Sequence, residues 1–236
     1  MDEIACRSGT KLVRMSGATL AAATLAGAAL AVSAQAADLQ IEITGSDGKP
    51  VAAVVATATP LDPTASAPAH AQGRTTAVMD QISKAFVPQV LAIGAGTWVE
   101  FPNSDTVSHQ VYSFSPVKRF QLPLYKGQPR APVQFDKPGL VVLGCNIHDS
   151  MVGYIYVADT PYFGKSDAAG SVRLADLPRG RYRIVIWSPS VADDPSSLIR
   201  EADIDAGADA RIEFKLKQRL RSSPEPRPHP DTWDAY

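Results

Sequence analysis

Residues 141–157 read VVLGCNIHDSMVGYIYV, two runs of the aliphatic, β-branched and aromatic residues that favour strands, joined by a short polar stretch. Cys145, His148 and Met151 fall within seven residues of one another in that stretch. The first run ends on Cys145 and the second opens on Met151. The five residues between them are therefore expected to form a strand-to-strand loop that presents all three side chains at one end of a sheet.

Working outward, the segments TTAVMD, QVLAI, TWVEF, HQVYSF, APVQF, LVVLGC and GYIYVA follow closely between residues 75 and 158, each bounded by Gly, Pro, Asn or Asp. About seven short strands in such a span predict a small β-sandwich or barrel. Upstream, LQIEITG (39–45), the turn SDGKP (46–50) and VAAVVATATP (51–60) predict a hairpin. Residues 60–73, PLDPTASAPAHAQG, lack periodicity and read as a linker or exposed loop. Downstream, GSVRLADL, RYRIVIW and ARIEFKLK form a third group of candidate strands. The closing RSSPEPRPHPDTWDAY is proline-rich and polar, so it is expected to be disordered or draped over the surface. Long amphipathic helical patterns and fixed-period repeats are absent, and the expected fold class is all-β.

The first 36 residues read as an export signal. Arg7, Lys11 and Arg14 precede the uncharged run ATLAAATLAGAALAV, and Ala34-Gln35-Ala36 supplies a small-x-small cleavage site. The expected destination is the bacterial periplasm, with no membrane span once the signal is removed; an uncleaved anchor is the alternative. Of the two cysteines, Cys6 lies in the signal, leaving Cys145 as the sole thiol of the mature chain. With no disulfide partner in an oxidising compartment, such a thiol is buried, paired to another chain or bound to a metal. The signal also holds three basic and two acidic residues, so the mature chain keeps 20 basic against 22 acidic. That balance leaves no electrostatic footprint for nucleic acid.

The chain has four histidines: His70 in the Ala/Pro segment, His229 in the tail, and His109 and His148 among the central strands. The mature methionines are Met79 and Met151. His109, Cys145, His148 and Met151 thus make a candidate metal-ligand set. Copper suits it, because a thiolate and two imidazoles with a weak axial thioether let Cu(I) and Cu(II) share nearly one geometry. Zinc more often takes a closed set of Cys and His, and haem attachment requires a C-x-x-C-H that this chain lacks. Neither a G-x-S-x-G setting nor another nucleophile–base pattern is present, and no independent catalytic site is expected.

AGTWVEFPNSDTVSHQVYSFS followed by FDKPGLVVLGCNIHDSMVGYIYV resembles the plastocyanin and amicyanin group of blue copper proteins, the cupredoxins. The likeness covers about residues 78–158. It includes the N-x-D turn before His109, the P-G before the cysteine strand, the C-x2-H-x2-M loop and M-x-G-x-I-x-V after it. The resemblance implies His109 and His148 as equatorial imidazole ligands, Cys145 as the thiolate and Met151 as the axial thioether of one type 1 copper. The chain as a whole resembles exported cupredoxin-like proteins described as methylamine utilisation proteins. Two positions depart from the family's pattern: Ile147 stands where Pro often precedes the second histidine, and Gln110 where Asn often follows the first. Unlike Pro, Ile147 keeps an N–H that is expected to donate to the Cys145 sulfur.

ITGSDGKPVAAVVATATP and GKSDAAGSVRLADLPRGRYRIVIWSP resemble the two ends of a carboxypeptidase regulatory-like, transthyretin-like sandwich. The expected organisation is a signal over 1–36, a first hairpin over 38–60, a linker over 61–74, a cupredoxin domain over 75–158, the rest of the second sandwich over 160–218 and a tail over 219–236. The expected function is one-electron transfer between redox partner proteins that dock transiently near His148, without enzyme activity. The alternatives are a copper chaperone or storage protein, and a structural adaptor with a vestigial metal site.

Overall fold

The structure, a computed structural model, describes residues 36–62, 75–128, 131–205 and 208–221. The expected signal, the linker and the tail, with His70 and His229, fall wholly or largely outside them. The described chain is all-β. In order, its strands are β1 (Ala37–Thr44), β2 (Val55–Pro60), β3 (Thr76–Val78), β4 (Asp80–Ile82), β5 (Ala85–Val87) and β6 (Val90–Gly94). There follow β7 (Thr97–Glu100), β8 (His109–Ser115), β9 (Lys118–Tyr125), β10 (Val133–Phe135), β11 (Gly139–Cys145) and β12 (His148–Ala158). The chain continues through β13 (Phe163–Lys165), β14 (Ser171–Leu177), β15 (Gly180–Trp187), β16 (Ile199–Ile204) and β17 (Ala210–Lys215). A single short 3-10 turn, Pro195–Leu198, is capped by the Asp194 carboxylate, which accepts from Ser196 N–H at 2.8 Å. Among the described residues no helix is long and apolar enough to cross a membrane.

β1 shows why strands form here: Ala37, Leu39, Ile41 and Ile43 are buried while the residues between them are only partly so, the two-residue period of a half-buried strand. It pairs antiparallel with β14 and parallel with β17, making the order β14-β1-β17. β2 lies inside a second sheet of order β13-β2-β15-β16. Leu39, Ile41, Ile43, Ile184 and Phe214 fill the core of these strands. The turn 167–170 shows how its D-x-x-G sequence works. The Asp167 carboxylate accepts from Ala169 and Ser171 N–H at 2.9 and 3.0 Å. Gly170 has φ +73°, and a Cβ there would stand 2.5 Å from the Ile43 carbonyl oxygen, so no other residue fits.

The central strands build a five-stranded sheet of order β6-β12-β11-β8-β9, a three-stranded sheet β10-β7-β3 and the hairpin β4-β5. Met79, Phe86, Phe101, Phe135, Leu143 and Ile155 lie in the core they share. The two sets of strands meet where the Trp187 ring lies 5.8 Å from Tyr154 and 5.7 Å from Tyr156. Beside it, Lys165 Nζ donates to the Val90 carbonyl at 2.9 Å.

Four features differ from expectation. β1 and β2, expected to pair as a hairpin, enter two different sheets, with an isolated Thr44–Pro50 bridge between them. β12 begins at His148, so the connection after Cys145 is a two-residue turn, Asn146–Ile147, in place of a five-residue loop. β9 carries Pro123, and β16 is short and rich in charge, so neither reads as a strand. β4 and β5 have only three residues each, and their turn at Ser83 and Lys84 takes positive φ without glycine. In each case pairing within a sheet overrides weak local preference.

Candidate metal centre

On β11 the buried residues are Val141, Leu143 and Cys145; on β8 they are His109, Val111 and Ser113. Period-two geometry therefore turns His109 and Cys145 to the same inner face, at one end of the five-stranded sheet. Met151 belongs to the inward set of β12, with Gly153, Ile155 and Val157. His148 is out of phase with that set by one residue and would face outward on a regular strand. The register resolves this: Cys145 opposes His148, but Gly144 opposes Val152. Residues 149–151 are the extra length of a bulge, and the bulge re-aims His148 toward the thiol.

The resulting cluster is tight. The Cys145 sulfur lies 3.9 Å from His109 Nδ1 and 3.9 Å from His148 Nδ1, and the three donor atoms all lie within 4.8 Å of one another. The two imidazole rings meet edge to face, 4.9 Å between centroids and inclined at 62°. His109, Cys145 and Met151 are buried; His148 is partly exposed, so the cluster reaches solvent at that residue. Met151 shares the buried core with Cys145. Ile147, half exposed, occupies the turn.

A network behind the cluster holds it in place. His109 Nε2 donates to Asp105 Oδ2 at 2.9 Å, with both side chains almost wholly withdrawn from solvent. The same oxygen accepts the Lys84 N–H at 2.6 Å, while Oδ1 accepts the Thr106 N–H at 2.7 Å. Burial pushes the Asp105 carboxyl up, but the bonds from His109, Lys84 and Thr106 outweigh it and hold the group below the ordinary value. Deeper still, Gln81 Nε2 donates to Tyr125 Oη at 2.6 Å, and Tyr125 donates to the Phe101 carbonyl at 2.5 Å. Burial drives the Tyr125 phenol up to about 12, with nearby Asp80 and Cys145 adding to the rise against the Gln81 bond. Sequence reading overlooked Asp105 as a functional residue. Its available signal was position, four residues before His109 within the N-x-D turn.

The donors suit a first-row transition ion. Bonds of about 2.0 Å to nitrogen and 2.3 Å to sulfur place trigonal donors about 3.5–3.7 Å apart. The sulfur–nitrogen separations of 3.9 Å lie close to that, while the imidazole nitrogens, within 4.8 Å of each other, have further to close. One thiol flanked by two imidazoles is a donor set that favours a transition ion such as copper over hard cations.

No family model and no curated protein matches the chain. Solved structures similar to it include cupredoxins. A purple cupredoxin from Nitrosopumilus maritimus is 23% identical over 35% of this chain and 99% of its own, with a TM-score of 0.32. A mutant form of reduced amicyanin is 23% identical over 43% of this chain and 99% of its own, also at 0.32. A copper-containing nitrite reductase from Thermus scotoductus SA-01 is 29% identical over 43% of this chain, with a TM-score of 0.35; the match spans 27% of the reductase.

Proposed function

We propose that this protein is an exported type 1 copper protein that carries one electron at a time between redox partners in the periplasm. The observation that carries the reading is the convergence of the buried Cys145 thiol with the Nδ1 atoms of His109 and His148, each 3.9 Å from sulfur. His109, Cys145 and His148 would hold the ion, with Met151 as the weak fourth donor. Copper bound there supplies a Cu(II)/Cu(I) couple. The chain's part is to keep the donors in one arrangement across both oxidation states, which lowers the reorganisation an electron must wait for. Met151 and the closely packed core around Cys145 keep water from the inner side, and His148 at the surface is the point where a partner docks. A saturated donor set leaves no position for a substrate, so the protein acts as a carrier and not as an enzyme.

The metal-carrying unit is residues 75–158, set between the two parts of a supporting sandwich, 38–60 and 160–218. The pairing of β1 with β14 and β17 supports that division. The supporting sandwich is a transthyretin-like docking module, a reading that rests on its D-x-x-G and L-P-x-G-x-Y sequence. The test is the spectrum of the protein reconstituted with Cu(II). Intense thiolate-to-copper absorption that bleaches on reduction and returns on oxidation is expected, and Cys145→Ser is expected to abolish it. A colourless protein that holds only Cu(I) and passes it on is a chaperone; a protein that binds no copper is an adaptor. Either result overturns the carrier.

A further inference from the structure

We propose that Asp105 is the positioning residue of the metal centre, selecting the His109 tautomer and biasing the site toward the oxidised ion; this rests on the copper-carrier reading. A neutral imidazole has one protonated and one free ring nitrogen, and the hydrogen bond made by one nitrogen decides which is which. Asp105 Oδ2 lies 2.9 Å from His109 Nε2 and, as an ionised carboxylate, can only accept. The proton is therefore held on Nε2, and the Nδ1 lone pair is left aimed at the space it shares with the Cys145 sulfur, 3.9 Å away.

The carboxylate is built in and not an incidental surface neighbour. Its own position is set from three sides. Lys84 N–H donates to it at 2.6 Å from a β4-β5 turn whose residues Ser83 and Lys84 both take left-handed backbone conformations, φ 52° and 58°. Thr106 N–H donates at 2.7 Å. Asn103, buried, accepts the Asp105 N–H at 3.0 Å and donates to the carbonyls of Val107 and Tyr125 at 3.0 and 2.8 Å, so the whole 103–107 loop is pinned behind the carboxylate. The turn that delivers Lys84 is thus tied to the metal centre through a single carboxylate.

A second consequence is electrostatic. The oxidised ion carries one more positive charge than the reduced one, and a nearly buried negative charge one imidazole away favours it. Partners of this kind, when removed, cost 10–100-fold in metal affinity. A loss at the tenfold end, confined to Cu(II), reads as an upward shift of about 59 mV in midpoint potential.

Two variants and two readouts test this. Nitrogen-15 NMR of the metal-free protein should show His109 protonated at Nε2 in the wild type and a mixed or reversed tautomer in Asp105→Ala, while His148 is unaffected. Asp105→Asn keeps one accepting oxygen but no charge, so it guards against simple misfolding of the alanine variant; it should raise the midpoint potential of the copper-loaded protein. An Nδ1-protonated His109 in the wild type, or an unchanged tautomer in Asp105→Ala, overturns the positioning role. An unchanged potential in Asp105→Asn overturns the bias toward the oxidised ion. The NMR result does not depend on copper. A protein with the expected tautomers that fails to take up copper therefore refutes the carrier and the bias while leaving the positioning role standing.

Discussion

At the scale of single residues, the cluster depends on side chains whose neighbours differ in what they let each one do. Cys145 and His109 are fully withdrawn from solvent, whereas His148 is not, so the same three-donor cluster has a rigid inner side and an accessible outer one. Met151 is buried like its strand neighbours and by burial alone is indistinguishable from core filler. Its substitution separates the two roles. Met151→Leu conserves volume and is expected to cost less than about 1.5 kcal/mol of stability, measured by urea unfolding of the metal-free protein. On the copper-carrier reading the lost thioether is a donor that stabilises Cu(II), so the midpoint potential should rise. An unchanged potential would make Met151 a packing residue only.

At the scale of elements, the bulge in β12 is what converts a sequence spacing into a cluster. C-x2-H places His148 three residues from Cys145, and an uninterrupted strand would send it and Met151 to opposite faces. The three extra residues 149–151 remove that conflict. The L-P-x-G-x-Y sequence has an equally local meaning: Tyr182, fully buried, donates its hydroxyl to the Pro178 carbonyl at 2.9 Å and ties the start of β15 to the preceding turn. Burial, with the neighbouring Tyr162 adding to it, pushes the Tyr182 phenol from 10.0 up to about 12. A pKa raised on folding means that the protonated form is the one the fold favours. Its contribution is complete below pH 10 and is lost as the pH rises through 12. Tyr182→Phe should cost about 1 kcal/mol near neutrality, from the lost hydrogen bond, and should flatten the alkaline fall in stability measured by denaturant titration between those pH values. An alkaline limb as steep as the wild type's would show that other tyrosines dominate it.

At the scale of the molecule, β1 and β2 hold the outer sandwich together although they precede the rest of it by more than a hundred residues. β1 is the central strand of β14-β1-β17, and β2 is an interior strand of β13-β2-β15-β16. Residues 160–218 expressed alone lack the middle of one sheet and an inner strand of the other. They are expected not to fold, giving a collapsed amide-proton NMR spectrum and no cooperative unfolding transition. A well-dispersed spectrum from that fragment would mean that the downstream strands form a sandwich of their own. Trp187, set against Tyr154 and Tyr156, carries the contact between the outer strands and the five-stranded sheet. It is placed on the face of that sheet opposite the one lined by Cys145 and Ile155.

The strand-rich texture, the alternation of β1 and the company kept by Cys145 are properties of neighbours in sequence. The all-β class and the crowding of soft donors at 145–151 could therefore be read directly from the chain. Period and composition act over a few residues, and these features need nothing more. What the tertiary structure decided lies at longer range or in register. It brings His109 from another strand to within 3.9 Å of the sulfur, and a bulge invisible to residue counting turns His148 inward. It also places Asp105 behind His109 through bonds from Lys84 and Asn103, residues whose individual preferences point to nothing but a turn. Strands as weak as β4, β5, β9 and β16 exist because their partners satisfy their backbone groups, and that energy belongs to the pair and not to either sequence alone.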